Sequence, residues 1–493
     1  MVSRRTFLAT STAAAGALVA PAPFADLAAQ SVPRRRRISE LSNTDPVVRT
    51  YREGVRRLKA ASGPVNWNAI AKVHADFCPH GNWYFVPWHR AYLVMVENII
   101  RDVTGDRSFA MPYWDWSSDR RIPEQFNRNA VANNPLFEPS RTMTPQMALP
   151  DAMVGPRVIS AIMAASNFEV FGSSRPDGQD TTDASWIREA GTDGPLESNP
   201  HNGVHGSIGG VMGTYDSPRD PVFWLHHCNI DRLWAQWNQD GNLNTGDELW
   251  RDMLFENHFF RPDGNRYSVS VRDLLEILPL GYRYGLGNER PRQPQRDPPL
   301  ILSSNQQTAR GSAGRGRSAS GTPGRRFSVD ATAITPGRPL TVSLPVGDAD
   351  VRPALGARAG RSASASTDTK RVLAVVRDIK APAEAVSTRI NVFIDTGENA
   401  TTLTSSSPSF AGTFGFFGSG HGGHAGHGGR AARGGEARDT RSVLLDLTPA
   451  LSRLAASGRP AGDKISLTFV AEPVKAGDTA VAVQPGRVDI SVE

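Results

Sequence analysis

Seven of the chain's eleven histidines fall in three short clusters. "HADFCPHGNWYFVPWHRAYLVMVE" holds His74, Cys78, His80 and His89; "PHNGVHG" holds His201 and His205; "DPVFWLHHCNIDRLW" holds His226, His227 and Cys228. Neutral imidazole is the commonest metal ligand among side chains, so grouped histidines first suggest a metal site. His201 and His205 are four apart, which on a helix puts both rings on one face, able to bind one ion. His80 and His89 are nine apart and cannot share a helical face. His80 is therefore expected on a loop ahead of a helix that begins around Pro87 and carries His89, with His74 from the end of the preceding helix. Adjacent His226 and His227 diverge on a helix, so only one serves the same site. Asp231, four residues after His227, could accept that ring's N–H in the usual outer arrangement of a metal histidine. That selects His227 as the ligand and leaves His226 as a buried, hydrogen-bonded structural residue.

The result is two all-imidazole triads, His74, His80 and His89, then His201, His205 and His227. Zinc hydrolases usually mix in a carboxylate, non-haem iron oxygenases use two histidines and a carboxylate, and blue copper needs a cysteine. Two nitrogen-only triads on opposing helix pairs suit a pair of copper ions, and a helical bundle holds a two-metal site on facing helices.

The elements needed to position these residues are visible in the periodicity. "PVVRTYREGVRRLKAAS" (46–62) is amphipathic at helical spacing and closed by Gly63-Pro64; "WHRAYLVMVENIIRDVTG" (88–105) repeats the pattern and ends at Gly105. Further helices are expected across "HNGVHGSI" and "DPVFWLHHCNIDRLWAQWNQ", with long loops and short helices over 117–198. The first domain, 35–290, is mainly α, a four-helix bundle around the dimetal site. A linker rich in Pro, Arg, Gly and Ser covers 291–327. After it, "PLTVSLPV", "RVLAVVRDI", "TRINVFIDT", "KISLTFVAEP" and "RVDISVE" alternate at period two, so 328–493 is expected to be an all-β, sandwich-like domain.

Much of the basic charge behind the net +6 lies in end and linker segments such as "PRRRRIS" and "ARGSAGRGRSASGTPGRR", so the basic balance says little about partners, and no nucleic-acid partner is expected. Two cysteines exclude a disulfide-rich scaffold and allow at most one bridge, Cys78 to Cys228. The first 29 residues carry Arg4-Arg5, then Phe7-Leu8 and an Ala-rich run broken by Pro21 and Pro23, the pattern of a twin-arginine export signal. The expected location is periplasmic or secreted, without stable membrane insertion.

The motifs "HGNWYFVPWHRAYL", "MPYWDWSSDR", "LESNPHNGVHG" and "DPVFWLHHCNIDRLW" occur in an order and spacing that resemble the tyrosinase, polyphenol oxidase and catechol oxidase group of type 3 copper proteins. The resemblance covers about 35–290. It implies that His74, His80 and His89 hold one copper (Cu A) and His201, His205 and His227 the other (Cu B), with dioxygen as co-substrate and small phenols as substrates. It implies oxidation of o-diphenols to o-quinones, with ortho-hydroxylation of monophenols or oxidation of o-aminophenols as extensions. Glu197 matches the family carboxylate that holds a water near the metals, and Asn202 the residue that helps orient it. Cys78-Pro79-His80 is similar to the fungal tyrosinase and molluscan haemocyanin pattern in which Cys and His are joined by a thioether; a free thiol and the Cys78–Cys228 bridge are the alternatives. Gly206 stands where many relatives carry a larger side chain, and Phe85 and Phe223 where family aromatics surround the coppers. "LGYRYG" (280–285) resembles the tyrosine motif that ends the catalytic domain. The β region with "SFAGTFGFF" resembles the capping domain of latent plant-type polyphenol oxidases, implying a zymogen opened by a protease acting on the linker. A reversible oxygen carrier like molluscan haemocyanin is the rival reading. The tract His421, His424 and His427 could collect copper or simply be a flexible insert.

Overall fold

A computed structural model describes residues 32–286, 325–356, 371–395, 402–418 and 440–492. The export signal, nearly all of the linker and the histidine tract at 421–427 lie outside the described residues.

Helix α1 (Pro46–Ala60) starts where Asp45 accepts the Val47 N–H and Pro46 presets the first turn. Its apolar stripe, Val48, Tyr51, Val55 and Leu58, is buried. Asn66 caps α2 (Trp67–Phe77) by accepting from Ala69 N–H, and this helix carries His74 near its end. Helix α3 (Phe85–Thr104) begins two residues before Pro87, which sits in the first turn where its missing N–H costs nothing, and ends at Gly105. The expected helix over "HNGVHGSI" is α4 (Asn202–Ile208); it is preceded by a π-helical turn, Glu197–His201, that contains Pro200. Helix α5 (Val222–Gln239) carries His227. Between α3 and α4 run long loops with short helices at Asp151–Val154, Pro156–Met163 and Phe168–Phe171. A hairpin of β1 (Leu254–Phe260) and β2 (Arg266–Ser270) closes the helical domain. Eight tryptophans are among its fully buried side chains, a large apolar payload for one core.

The arginine-rich stretch near residue 35 is not merely a solvated end segment. Arg35 is wholly buried, donating to Glu97 and Asp231 and stacking its guanidinium 3.4 Å above the Tyr282 ring. Burying that charge is tolerable because two carboxylates and an aromatic face replace water.

The second domain is a sandwich of two antiparallel sheets. One has the order β3 (Arg325–Asp330), β10 (Arg487–Val492), β5 (Val372–Lys380), β8 (Thr440–Asp446). The other runs β4 (Leu340–Leu344), β9 (Ile465–Pro473), β6 (Thr388–Ile394), β7 (Phe410–Gly415). Strand β3 begins at Arg325, three residues ahead of the expected boundary. In β5 the alternation serves two cores: Val372, Ala374 and Val376 pack inside the sandwich, while Leu373 and Val375 pack against the helical domain. Edge strands β7 and β8 both meet the helical domain. Asp193 N–H donates to Ser442 O at 2.8 Å, and Leu444 N–H to Asp193 O at 2.9 Å.

Candidate metal centre

The fold brings the six predicted histidines together. The rings of His74, His80 and His89, from the end of α2, the following loop and the start of α3, have centroids 5.4, 5.5 and 5.4 Å apart. Those of His201, His205 and His227 are 4.6, 5.0 and 5.5 Å apart. The two groups touch: His89 stacks on His227 at 4.3 Å and His80 on His201 at 5.4 Å.

Whether this site fits metal ions is decided by the ring nitrogens. His74, His89 and His205 each present Nδ1 to a backbone carbonyl, of Tyr215, Phe85 and Met212, at 2.8, 2.8 and 2.6 Å. A carbonyl only accepts, so the proton sits on Nδ1 and Nε2 carries a lone pair. Nε2 of His74, His80, His89 and His201 is buried without any partner. Nε2 of His205 lies 3.3 Å from Nε2 of His227. That separation is close to the edge of a tetrahedron around an ion with metal–nitrogen bonds of about 2.0–2.1 Å. Burial also depresses the imidazoles' proton affinity, His89 to about 3 and His205 to about 4, so they are neutral, the form that binds metal. Buried, unpaired acceptors converging in this way are costly in an empty core and are satisfied by cations.

His226 is also buried in this cluster. Its Nδ1, however, accepts from the Trp116 indole N–H at 3.1 Å, which puts the ring proton on Nε2 and leaves no lone pair to offer. His226 therefore behaves as the structural residue expected, but not for the expected reason. Asp231 does not reach His227, whose Nδ1 has no hydrogen-bond partner. The carboxylate instead accepts from Arg90, Arg35, Tyr282 and Tyr284 at 2.6–3.0 Å. Residues four apart share a helical face only broadly, and two buried guanidiniums attract a carboxylate more strongly than a neutral ring does.

Glu197 is fully buried, accepting from Gly81 N–H at 2.7 Å and from the Ser173 hydroxyl. Burial, and then the neighbouring Asp193 charge, push its carboxyl well above the usual range. One of its oxygens lies within reach of both His80 and His201 nitrogens. Asn202 engages His201 directly, its Oδ1 2.9 Å from Nδ1, while its Nδ2 donates to Gly415 O of the sandwich at 3.3 Å. Cys78 and Cys228 are both buried free thiols, so the disulfide alternative is out; Cys78 Sγ lies 3.5 Å from His80 Nδ1. Phe85 and Phe223 pack on the histidines, with centroids 4.6 Å from His201 and 4.2 Å from His227.

Sequence reasoning missed the residues that meet the site from across the fold. Phe417, just beyond β7, places its ring 4.5 Å from His205, 4.8 Å from His80 and 5.4 Å from Tyr215. It fills the approach to both triads. Gly206 does not widen a pocket mouth in this state: a Cβ there would lie 2.3 Å from Val386 O, so its smallness lets the sandwich dock. Only the aromatic run "FGFF" hinted at Phe417, and no local pattern marked Tyr215, Arg441 or Asp193.

Residues 64–240 match the family model "Common central domain of tyrosinase". Tyrosinase HcTyr1 of Hahella sp. is 34% identical over 232 residues, covering 42% of this chain and 47% of that protein. The chain thus spans about half the length of the curated relatives it matches. In fold, it is similar to latent apple tyrosinase (TM-score 0.62, 19% identity, 94% of this chain and 97% of that one). A functional unit of octopus hemocyanin is a weaker neighbour (TM-score 0.50, 16% identity, 93% and 99% covered). A bundle with two neutral histidine triads, closed by a β-sandwich, is thus the setting of residues 64–240, the region that matches the common central domain of tyrosinase.

Proposed function

We propose that the chain is a copper-dependent oxidase of small phenols, converting o-diphenols to o-quinones and, by extension, hydroxylating monophenols, and that it is latent until the sandwich is displaced. The observation that carries this reading is the convergence of neutral, unpartnered imidazole nitrogens beneath Phe417. His74, His80 and His89 would hold one copper and His201, His205 and His227 the other. The coppers, when bound, supply dioxygen activation and the electron acceptance that phenol oxidation needs. The chain's own residues do the rest. Phe223 and Phe85 line the histidines with apolar surface that excludes water. Glu197, whose buried carboxyl has a raised affinity for protons, takes up the phenolic proton. Asn202 orients His201 and, once Gly415 has left, has an amide N–H to offer a water or substrate oxygen.

Three finer features belong to the same proposal. Cys78 would join His80 through a thioether, the thiol S–H and a ring C–H giving way to a C–S bond in a two-electron oxidation for which bound copper and dioxygen would supply the acceptor; this fixes a ring that no backbone carbonyl anchors, and a peptide spanning both would be lighter by two hydrogens. The first 29 residues direct twin-arginine export, and the segment 291–327 is the site of activating proteolysis. Among the described residues no helix is long and apolar enough to cross a membrane.

The test is to load the chain with copper, cleave it in the linker, and measure oxidation of catechol and tyrosine against the uncleaved chain. Cleaved protein should gain activity. Dioxygen binding without any catechol turnover would replace the oxidase with a haemocyanin-like carrier.

A further inference from the structure

We propose that Asp193 is the substrate's ammonium anchor, so that the uncovered site prefers phenols carrying a short aminoalkyl chain over neutral or carboxylate-bearing ones. This deepens the oxidase reading and rests on it.

Asp193 is 2% exposed, yet it is neither a metal ligand nor part of the Arg35 network. Its carboxylate lies against Gly81, the residue after His80. A Cβ there would sit 2.8 Å from Asp193 Oδ1, and φ is +76°. Nothing larger than hydrogen fits between this charge and the loop that carries a metal histidine. The countercharge comes from the sandwich: Arg441 Nη1 lies 3.7 Å from Asp193 Oδ2. Arg441 is also hydrogen-bonded to Tyr215, whose ring packs on Phe417. The sandwich therefore inserts two groups around Tyr215 at once, an aromatic ring over the histidines and a cation on Asp193.

Removing the sandwich withdraws both groups together. It leaves a ring-sized space at the metals, and beside it a carboxylate that has lost its cation while a second one, Glu197, remains next to it. A carboxylate held against Gly81 with only the Asn202 side chain left to bond it is unfavourable without its countercharge, whereas a ligand that supplies ring and ammonium on one skeleton replaces the ring and the cation that the sandwich contributed. A phenol ending in a carboxylate meets a like charge instead. The protein's own plug is thus a template for the ligand class, and Asp193 reads the charge.

The test uses the full chain with Phe417→Ala and Arg441→Gln, which vacates both places without deleting the domain. Calorimetric titration with phenylethylammonium, phenylethanol and phenylpropionate, with and without copper, should rank them in that order. The ammonium should bind on the order of ten-fold tighter than the alcohol, the usual worth of one charge-assisted contact. Adding Asp193→Asn should erase that gap and leave the alcohol's affinity unchanged. Equal binding of all three, or a preference that survives Asp193→Asn, overturns the proposal. If near-UV circular dichroism shows that the opened variant misfolds, linker-cleaved protein decides. There Asp193→Asn should raise KM for a catechol with an ethylammonium chain about ten-fold relative to the KM of methylcatechol, with any change in kcat common to both substrates. A common shift in both KM values marks Asp193 as structural and overturns the proposal. A chain that binds the ammonium probe selectively but oxidises no catechol refutes the oxidase reading alone.

Discussion

The helical domain and the sandwich bury polar groups on different terms. The helical domain encloses its histidines, Glu197, and the network of Arg35, Arg90, Glu97 and Asp231 within a tryptophan-rich core. The sandwich keeps a largely aliphatic interior of Val, Ile, Leu and Ala with a few phenylalanines. At the metal centre it contributes one ring, one guanidinium and two backbone carbonyls. Chemistry requires desolvated polar groups held in fixed places, and these cost stability unless every partner is present. A cover needs only shape and a few matched contacts. Changes in the helical domain should therefore be losses, and changes at the cover should be gains of access.

The contrast is tested most severely at Asp231. Asp231→Ala leaves two buried guanidiniums and two tyrosine hydroxyls short of an acceptor and should cost about 3–5 kcal/mol in denaturant unfolding; a loss under about 1 kcal/mol would mean the network is not holding the domain together. Next comes acidification of the copper-free chain. Histidines buried neutral have folded-state proton affinities below their unfolded ones, so the unfolded state takes up more protons. Stability should be full above about pH 6.5 and fall as pH drops toward about 4 for His205, with that residue alone worth about 3 kcal/mol. Bound copper should move the decline to lower pH, and a melting temperature flat across this range would contradict the burial. At the cover the sign reverses. Phe417→Ala in the uncleaved chain should raise catechol oxidation on the order of ten-fold, about 1.4 kcal/mol of access, with copper content unchanged; an unaltered rate would show that the ring is not what closes the site. The smallest effect is expected at Gly206→Ala. Pushing a methyl group into Val386 O should loosen docking by about 1 kcal/mol, seen as faster linker proteolysis with no change in the helical domain's melting.

How much the sequence made legible depends on the range of the forces involved. The helices were readable because amphipathic spacing, the Gly63-Pro64 closure and the Gly105 stop are local signals. The six histidines were readable because each lies in a short cluster whose spacing restricts where its ring can point. Asp231 misled because the same local spacing served a network that draws on Arg35 and on Tyr282 and Tyr284, residues far from it along the chain. Asp193, Tyr215, Phe417 and Arg441 were invisible for a related reason: each acquires its role only when β7 and β8 are laid against the loop before α4. The π-turn at Glu197–His201 was likewise hidden, since a Pro inside a helical stretch does not disclose how the backbone will absorb it.

The pairing of Asp193 with β8 also bears on the fate of the cover after activation. While the two domains are together, the loop residue satisfies Ser442 O and Leu444 N at the open margin of a four-stranded sheet. A sandwich that departs carries that margin away bare, with a row of backbone donors and acceptors that another strand can match. Discarded covers would then tend to pair with one another instead of returning, so that opening the site behaves as a ratchet and not as a hinge.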